Sequence, residues 1–409
     1  KRTSSNGQKG NVPKLRFPGF EGEWENTELG NLAFYGKEKT RVRKNHFVST
    51  ENIEQNFGGI VPFEDSETMV DGTGFTKGDI LIANIRPYLK KIWQSDMDGA
   101  CNADVLVMKP QEIDNVFFYF LVAQNKFIDY VMGGVKGSKM PRGDKAHILQ
   151  YNTAIPSILE QQQIAKFLSL LSNRIAAQKE LIETLKKYKR GLLSAVFPGN
   201  SHVTPKYRLS GFSKPWKQRK LGDIADIKTG PFGSTLHADD YVNEGIPIIT
   251  TEHFKSGKLP TVKNGIPQVS DDDYLRLKGY TLKTGDIVFS RVGSVDINAL
   301  VTPIQDKWLF SGRVLRVRSY VEIVSTFLHT LLETDNVRKD IISRAVGQTM
   351  PSINTEILKA TLLCLPQDID EQLKIGSYFA HLDRIITLHQ CRLNMFEKIK
   401  FGMLQQLFI

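Results

Sequence analysis

Two stretches of the chain carry a heptad pattern of apolar residues. In 162–197, residues that are apolar at all but two positions recur in alternating steps of four and three. This spacing is expected for a helix that buries one stripe against a partner helix. The first seam has the apolar members Ile164, Leu168, Leu171, Ile175, Ile182, Leu185 and Leu192, with Gln178 and Lys189 as polar members. The second seam has Ile375, Phe379, Leu382, Ile386, Leu393, Phe396 and Met403, with His389 and Lys400 at the same polar registers. The pattern predicts two long helices, each of which needs a partner.

The segments before these helices have a mixed pattern. Short β-branched and aromatic runs, broken by Gly, Pro, Asn and Asp, predict strands at 80–83, 105–108, 246–249, 287–289 and 314–317. Apolar residues at about every third or fourth position predict helices over 115–131 and 319–345. Since strands and helices do not alternate regularly, we expect an α+β fold rather than a doubly wound α/β fold.

An internal repeat relates the two halves of the chain. Residues 13–33 and 205–225 share nine identities in 21 positions at an offset of 192. Gly-Asp-Ile recurs at an offset of 207, Met-Pro at 210, and the start of the long helix at 211. The second copy therefore carries 211 − 192 = 19 extra residues. The repeat predicts a tandem duplication of one module, a globular domain followed by a long helix.

The two helices pack most simply about a pseudo-twofold axis. We therefore expect an antiparallel coiled coil with a globular domain at each end. A helix over 162–197 would be about 54 Å long, which is somewhat more than one turn of B-DNA at about 34–36 Å. The pattern thus predicts two heads held apart by a helical spacer.

Charge narrows the choice of partner. The chain has 54 Lys and Arg against 44 Asp and Glu, a net charge of +10, which favours a polyanion such as nucleic acid. No run approaches the ~18 apolar residues of a membrane span, and no secretory signal opens the chain. Because the three cysteines are scattered, we expect reduced thiols and a cytoplasmic protein. The chain begins at Lys1, so we expect a few native residues to precede it.

No catalytic motif is recognisable. The sequence lacks a phosphate-binding Gly-x-x-x-x-Gly-Lys-Ser/Thr loop, a His-Glu-x-x-His pair and a Gly-x-Ser-x-Gly elbow. The acidic run Asp271-Asp272-Asp273 fits the capped start of a short helix better than a metal site. We predict a binding protein rather than an enzyme, with no metal site and no cofactor in this chain.

Two recurrent loops are candidates for contact with DNA. The first follows the Gly-Asp-Ile strand and delivers Arg into a turn, which suits a bidentate contact with guanine. Its candidate residues are Arg86, Tyr88, Lys90 and Lys91 in the first copy and Arg291 and Ser294 in the second. A surface Arg in a structural ion pair is the alternative interpretation.

The second candidate is the Gly-rich loop at 133–145 and at 346–354. The first copy carries Lys136, Ser138, Lys139, Arg142 and Lys145, which are dense enough to contact phosphates. The second copy carries the uncharged Gln348, Thr349, Ser352 and Asn354, which suit base edges or backbone oxygens. A mobile, solvated loop is the alternative.

A third candidate is a basic loop of the first copy. It contains Lys37, Lys39, Arg41, Arg43 and Lys44, and the similar place in the second copy holds Ser234 and His237. A charge run of this kind is more often a solvated face.

The order of these features resembles the specificity subunit of type I restriction–modification enzymes along nearly the whole chain. The resemblance rests on the tandem modules, on the Gly-Asp-Ile strand and on two motifs. One motif stands as Trp24…Leu29-Gly30 and Trp216…Leu221-Gly222, and the other as Pro156…Glu160-Gln161 and Pro366…Glu371-Gln372.

The resemblance implies two target recognition domains, at 13–160 and 205–370, each reading one half of a bipartite double-stranded DNA site. The coiled-coil helices at 161–197 and 371–409, with a linker at 198–204, would set the unread spacer. Partners implied by the resemblance are two methyltransferase subunits that use S-adenosylmethionine and restriction (motor-nuclease) subunits that use ATP and Mg²⁺. This chain would hold none of those cofactors.

Other interpretations stay open at this point. The basic N-terminal arm, 1–12, has the pattern of a disordered segment, and any contact that locks the chain into a circle is expected from residues 1–16. An enzyme with an unrecognised nuclease or methyltransferase site is one alternative function. A non-catalytic protein scaffold is the other, and weak DNA binding without a salt dependence would favour it.

Overall fold

The computed structural model describes residues 10–61, 63, 65–137, 139–199, 204–231, 235–347 and 349–409. They form two compact units. Unit 1 runs to residue 180 and includes 391–409, and unit 2 comprises 181–390. Each unit thus combines a globular domain with segments of both long helices.

The described residues of unit 1 form ten short strands. They are β1 (Glu25–Glu28), β2 (Ala33–Tyr35), β3 (Lys39–Arg43), β4 (Phe47–Val48), β5 (Met69–Phe75), β6 (Ile80–Ala83), β7 (Ile92–Gln94), β8 (Gly99–Cys101), β9 (Val105–Pro110) and β10 (Asn152–Ile155). Its helices are α1 (Leu29–Leu32), α2 (Asn115–Val122), α3 (Asn125–Gly133), α4 (Lys145–Leu149) and the first part of α5 (Ile158–Val196).

Unit 2 repeats this order. Its strands are β11 (Lys217–Lys220), β12 (Ala225–Thr229), β13 (Tyr241–Val242), β14 (Ile246–Ile249), β15 (Gln268–Val269), β16 (Ile287–Ser290), β17 (Asn298–Leu300), β18 (Leu309–Phe310), β19 (Val314–Ser319) and β20 (Leu362–Leu365). Its helices are α6 (Asp271–Arg276), α7 (Ser325–Leu332), α8 (Asp335–Ser343), α9 (Thr355–Lys359) and the first part of α10 (Ile369–Leu407).

Both units build equivalent sheets. The strand orders are β2-β9-β6-β7, β3-β5-β8-β4 and β1-β10 in unit 1, and β12-β19-β16-β17, β13-β15-β14-β18 and β11-β20 in unit 2. The α+β fold, present in two copies, is confirmed. The extra residues of the second copy lie mainly between β12 and β16.

The Gly-Asp-Ile strand lies between two cores in each unit. In β6, Ile80 and Ile82 face one apolar cluster and Leu81 faces another. In β16, Ile287 belongs to one cluster and Val288 to another. Because side chains alternate across a strand, a strand covered on both faces needs the uninterrupted apolar run that the sequence shows.

The two predicted helices at 115–131 and 319–345 are each broken. The first becomes α2 and α3, because Gln124 takes an extended conformation. In the second, Ser319 ends β19 and pairs with Ala225, so α7 begins only at Ser325. An apolar period of three to four cannot separate a strand end and two short helices from one long helix.

The Glu-Gln motif ties each long helix to its domain. Glu160 in α5 accepts two hydrogen bonds from the Arg16 guanidinium, at 2.8 and 2.7 Å. Gln161 accepts from the Asp114 amide at 2.9 Å and donates to the Pro156 carbonyl at 2.9 Å. One pair of side chains therefore fixes the start of the helix against the chain segments on either side.

Unit 2 contains the same contacts. Glu371 accepts from Arg208 at 2.8 and 2.8 Å, and Gln372 accepts from the Val324 amide at 3.0 Å. Glu371 also accepts from the Trp216 indole at 3.2 Å. In the part of the chain that the structure describes, the indole nitrogen of Trp24 has no such partner.

The end of each long helix packs into a globular core. In unit 1, the Phe408 ring lies 6.4 Å from Trp24 and 5.2 Å from Phe117. The Leu15 amide, in the segment expected to supply a locking contact, donates to the Gln406 carbonyl at 3.0 Å. Residues 1–9 lie outside the described residues.

In unit 2 the end of α5 takes the equivalent place. The Phe197 ring lies 6.1 Å from Trp216 and 5.6 Å from Phe327, and the Tyr207 amide donates to the Ala195 carbonyl at 3.0 Å. The start of each module is thus hydrogen-bonded to the end of the other module's helix.

Within each unit the segments of α5 and α10 run antiparallel. In unit 1, Ile164 shares a cluster with Leu407, and further along α5 Lys179 pairs with Glu397 at 3.0 Å. All the positions of both predicted seams are buried or half-buried. The helices begin at 158 and 369, slightly before the predicted starts at 161 and 371. No helix in the described ranges is long and apolar enough to span a bilayer.

Candidate nucleic-acid interface

The two predicted DNA-binding loops of unit 1 lie against each other. We call residues 84–91, which follow β6, the strand-end turn and residues 136–142 the Met-Pro loop. The backbone amide of Arg86 donates to the Pro141 carbonyl at 2.8 Å. The two loops therefore form one surface.

Unit 2 has the same arrangement. Its strand-end turn is 291–294 and its Met-Pro loop is 346–352. The Gly293 amide donates to the Pro351 carbonyl at 2.8 Å. The two loop types are thus joined by an equivalent backbone hydrogen bond in each unit.

A second hydrogen bond fixes which residues correspond. The Gly143 amide donates to the Asn84 carbonyl at 3.0 Å, and the Ile353 amide donates to the Arg291 carbonyl at 2.9 Å. Arg291 therefore takes the place of Asn84, while Gly293 takes the place of Arg86. The sequence suggested that both arginines enter the turn in the same way, but they occupy different positions in it.

Each Met-Pro loop is closed by a pair of backbone hydrogen bonds. In unit 1, Lys136 and Arg142 exchange bonds of 2.9 and 3.0 Å, and in unit 2 Val346 and Ser352 exchange bonds of 2.9 and 2.8 Å. The residue after the first of each pair is a glycine with a positive φ, 91° at Gly137, which other residues rarely adopt. The two loops are therefore closed by the same backbone hydrogen bonds although their side chains differ.

Methionine lies near the tip of both loops. Met140 is 48% exposed and Met350 is 66% exposed. Exposed methionines at equivalent positions add an apolar, adaptable side chain to each surface.

Ion pairs engage part of the basic charge of the unit 1 loop. Lys136 pairs with Asp144, and Arg142 pairs with Asp104 at 2.8 Å. The hydrogen bond from Lys136, together with the amides of the helix start, lowers the pKa of Asp144 to about 2. Asp144 is therefore ionised at neutral pH and holds Lys136 beside α4.

The strand-end turn of unit 1 has a constrained backbone. Arg86 and Lys90 both have positive φ, 50° and 56°, which is uncommon outside glycine and often marks a functional site. The Arg86 side chain is exposed and, within the described residues, has no ion-pair partner. Tyr88 is 49% exposed. Lys91 is half-buried and donates to the Thr50 carbonyl at 2.5 Å, so it supports the turn.

In unit 2 the positive charge lies at the strand ends. The half-buried Arg291 donates to the Gly312 carbonyl at 3.1 Å, and its amide donates to the carbonyl of the exposed Arg313 at 2.9 Å. Arg313 takes the place of Asp104, whose carbonyl accepts from the Asn84 amide at 2.8 Å in unit 1. Sequence reasoning missed Arg313, although its position directly before β19 mirrors that of Asp104 before β9.

Two predicted contacts of unit 2 have structural partners. The Asn354 side-chain oxygen, Oδ1, accepts from the Ile357 amide at 2.9 Å and caps α9, and the Ser352 hydroxyl donates to the Val346 backbone carbonyl at 3.3 Å. Their oxygens are therefore less suited to base edges than predicted. The other predicted residues with exposed side chains are Lys139, Lys145, His237, Ser294 and Thr349. Ser138, Ser234 and Gln348 lie outside the described residues.

The third basic segment is a strand rather than a loop. Residues 39–43 form β3, where Arg41 lies 4.0 Å from Asp71 and Arg43 lies 3.6 Å from Glu67. All four side chains are exposed, and the pair of Arg41 with Asp71 across two strands is typical of a solvated sheet face.

Both halves of the chain match one known protein family. The model of the type I restriction modification DNA specificity domain matches residues 21–187 and again 213–398. The chain belongs to this family. It is a type I specificity subunit with two target recognition domains, one in each unit.

Similar proteins agree with this assignment. The MjaVIII specificity subunit of Methanocaldococcus jannaschii is 24% identical over 404 residues, covering 92% of this chain and 90% of the relative. The type I S subunit from M. genitalium superposes with a TM-score of 0.66 at 16% identity, covering 97% of this chain and 99% of the other. A chain from a structural study of type I complex assembly and conformational transition has a TM-score of 0.54 at 18% identity, covering 96% and 98%.

Proposed function

We propose that the strand-end turn and the Met-Pro loop of each unit together read one half of a bipartite DNA site. The observation that carries this proposal is the equivalent backbone hydrogen bonding of the two surfaces combined with their different side chains. A constant backbone with variable side chains is what two readers of different sequences need.

The two surfaces favour different kinds of contact. In unit 1, the exposed Arg86 and Lys139 suit phosphate oxygens, which position the protein on the duplex. In unit 2, Arg291 is held by a backbone carbonyl next to Arg313, and a held guanidinium suits the O6 and N7 atoms of guanine. The net charge of +10 supports both, because it attracts the duplex at long range.

We infer that the chain acts within a complex with two methyltransferase subunits and with restriction subunits. A stripe of exposed apolar side chains along α10 supports a protein partner there: Ile385, Leu388, Met395 and Ile399 follow one another at spacings of three, seven and four residues, on one side of the helix. A contiguous exposed apolar patch, unlike a single exposed leucine, commonly marks a protein contact. In this proposal S-adenosylmethionine, ATP and Mg²⁺ are bound by those partners, and this chain recognises DNA without catalysis.

The first experiment is selection from a random DNA library by the chain co-expressed with its methyltransferase subunit. Two short fixed words separated by a constant gap are expected. One contiguous word, or no enrichment above a salt-sensitive background, would contradict reading by both units.

A further inference from the structure

The strands β1 and β11 carry opposite charge, and at two equivalent positions an acid is replaced by a base: Glu25 by Lys217 and Glu28 by Lys220. Each follows one of the matched tryptophans, Trp24 or Trp216, and pairs antiparallel with β10 or β20. Unit 1 has Glu21, Glu23, Glu25 and Glu28 on and before this strand, whereas unit 2 has Lys214, Lys217, Arg219 and Lys220. All eight side chains are exposed. The charge reversal lies on one repeated strand.

The basic charge of β11 is not compensated within the described residues, where none of its cations forms a salt bridge. Arg219 donates only to the Asp223 backbone carbonyl, at 3.3 Å. Lys217 and Arg219 are two residues apart and so share a face, about 6.6 Å apart along the strand. A DNA strand presents one phosphate per about 3.4 Å of helix axis, so the pair spans about two phosphates.

A short helix connects β11 with the Met-Pro loop of unit 2. The chain passes from β11 into residues 221–223, where a Cβ on Gly222 would lie 2.9 Å from the Cβ of Lys359 in α9. Helix α9 is capped by Asn354, which lies two residues after the end of the Met-Pro loop. Only α9, Thr355–Lys359, therefore separates the end of β11 from the Met-Pro loop assigned to DNA.

We propose that β11 is a second DNA contact of unit 2, which binds the phosphate backbone next to the half-site that this unit reads. Unit 1 makes no such contact, because the equivalent strand β1 is acidic and repels phosphate. The inference rests on the proposed function of the Met-Pro loops. It makes the two halves of the complex unequal in phosphate contacts although their folds are equivalent.

The test uses the chain in complex with its methyltransferase subunits and a duplex carrying the selected site. Lys217→Gln combined with Arg219→Gln should reduce the magnitude of the slope of log affinity against log salt concentration by about 1.8, since each phosphate contact contributes about 0.9. Ethylation interference should lose signals only beside the unit 2 half-site. The control is Lys263→Gln with Lys283→Gln, two exposed lysines of unit 2 that remove the same charge away from β11.

A gain of function completes the test. Glu25→Lys with Glu28→Lys in unit 1 should add interference signals beside the unit 1 half-site. A slope in the β11 variant equal to that of the control would overturn the inference. Loss of methyltransferase subunits with unchanged DNA contacts would also overturn it, by assigning β11 to a protein partner. If selection still yields two words, only this inference fails; if selection yields none, the proposed function fails first.

Discussion

Units 1 and 2 share backbone hydrogen bonds but place their charge differently. In unit 1 both the strand-end turn and the Met-Pro loop carry positive charge, whereas in unit 2 it lies at the strand ends, at Arg291 and Arg313, and the Met-Pro loop has no charged residue. The hydrogen bonds that join turn and loop are equivalent in both. The difference shows that the charged side chains can change while the backbone hydrogen bonds of the surface are kept.

The same contrast recurs where the long helices pack. Lys189 and Lys400 share one register, 211 residues apart. Burial by itself lowers the pKa of Lys189, but Glu333 at 2.7 Å and Asp383 at 2.8 Å outweigh it and raise the pKa. Burial lowers the pKa of Lys400, which lies 5.6 Å from the Phe120 ring. Among the described residues, Lys189 therefore has two ion-pair partners and Lys400 forms no salt bridge.

The largest expected effect concerns the buried carboxylates at the helix starts. Glu371→Ala should lower the free energy of unfolding by about 4 kcal/mol, because it leaves Arg208 without its buried partner. Glu160→Ala should cost about 1 kcal/mol less, since Glu160 does not also accept a tryptophan hydrogen bond. Urea unfolding followed by tryptophan fluorescence measures both. Equal losses of unfolding free energy in the two variants would mean that the tryptophan hydrogen bond to Glu371 adds no stability.

The helix lysines should differ next. Lys189→Met should cost about 3 kcal/mol, because it leaves two carboxylates largely buried and uncompensated. Lys400→Met should change stability by less than about 1 kcal/mol, since it replaces a poorly solvated charge by an apolar chain of similar length. Parallel thermal and urea unfolding checks the pair, and similar losses would mean that the two registers are equivalent after all.

Substitutions of Arg291 and Arg86, in the two strand-end turns, should differ in whether they affect specific DNA binding alone or all DNA binding. Arg291→Ala should weaken binding to the selected site by about 1–3 kcal/mol and leave random DNA binding nearly unchanged. Arg86→Gly introduces a residue that tolerates the positive φ. It should weaken binding to the selected site and to random DNA equally, and it should reduce the magnitude of the slope of log affinity against log salt concentration by about 0.9. Titrations at several salt concentrations measure this, and an equal loss with Arg291→Ala on both DNAs would reassign Arg291 to phosphate.

The smallest effect should come from Asp144→Asn, which gives unit 1 the residue that unit 2 has at position 354. Asparagine keeps the helix cap but removes the negative charge beside Lys136. The released lysine should steepen the salt slope for random DNA by about 0.9. Asn354→Ala, which removes no charge, serves as the comparison and should leave that slope unchanged.

The sequence predicted the features that depend on periodicity. Heptad spacing found both long helices, and the offsets of 192 to 211 found the duplication. The uninterrupted apolar run of 80–83 marked a strand, because such a strand is covered on both faces. These signals are strong since they are repeated along the chain and between the copies.

Features that depend on tertiary contacts were not predictable in the same way. The correspondence of Arg291 with Asn84 rests on a hydrogen bond from residue 353, and the cap at Asn354 rests on where α9 begins. Arg313 has no local signal, because only the pairing of β19 with β16 brings it beside Arg291. The spacing of apolar residues does not report which two residues form a given hydrogen bond. Individual site residues were therefore harder to assign than the fold.

The helix ends have a consequence for the history of the chain. Phe408 completes the core of unit 1 and Phe197 completes that of unit 2, so a chain stopped after residue 199 would lack the side chain that fills its own domain. A second copy of the shortened chain would carry a matching Phe197. Such a pair would present two identical heads to DNA and require identical half-sites. Joining the copies in one gene lets each half-site change while the other is kept.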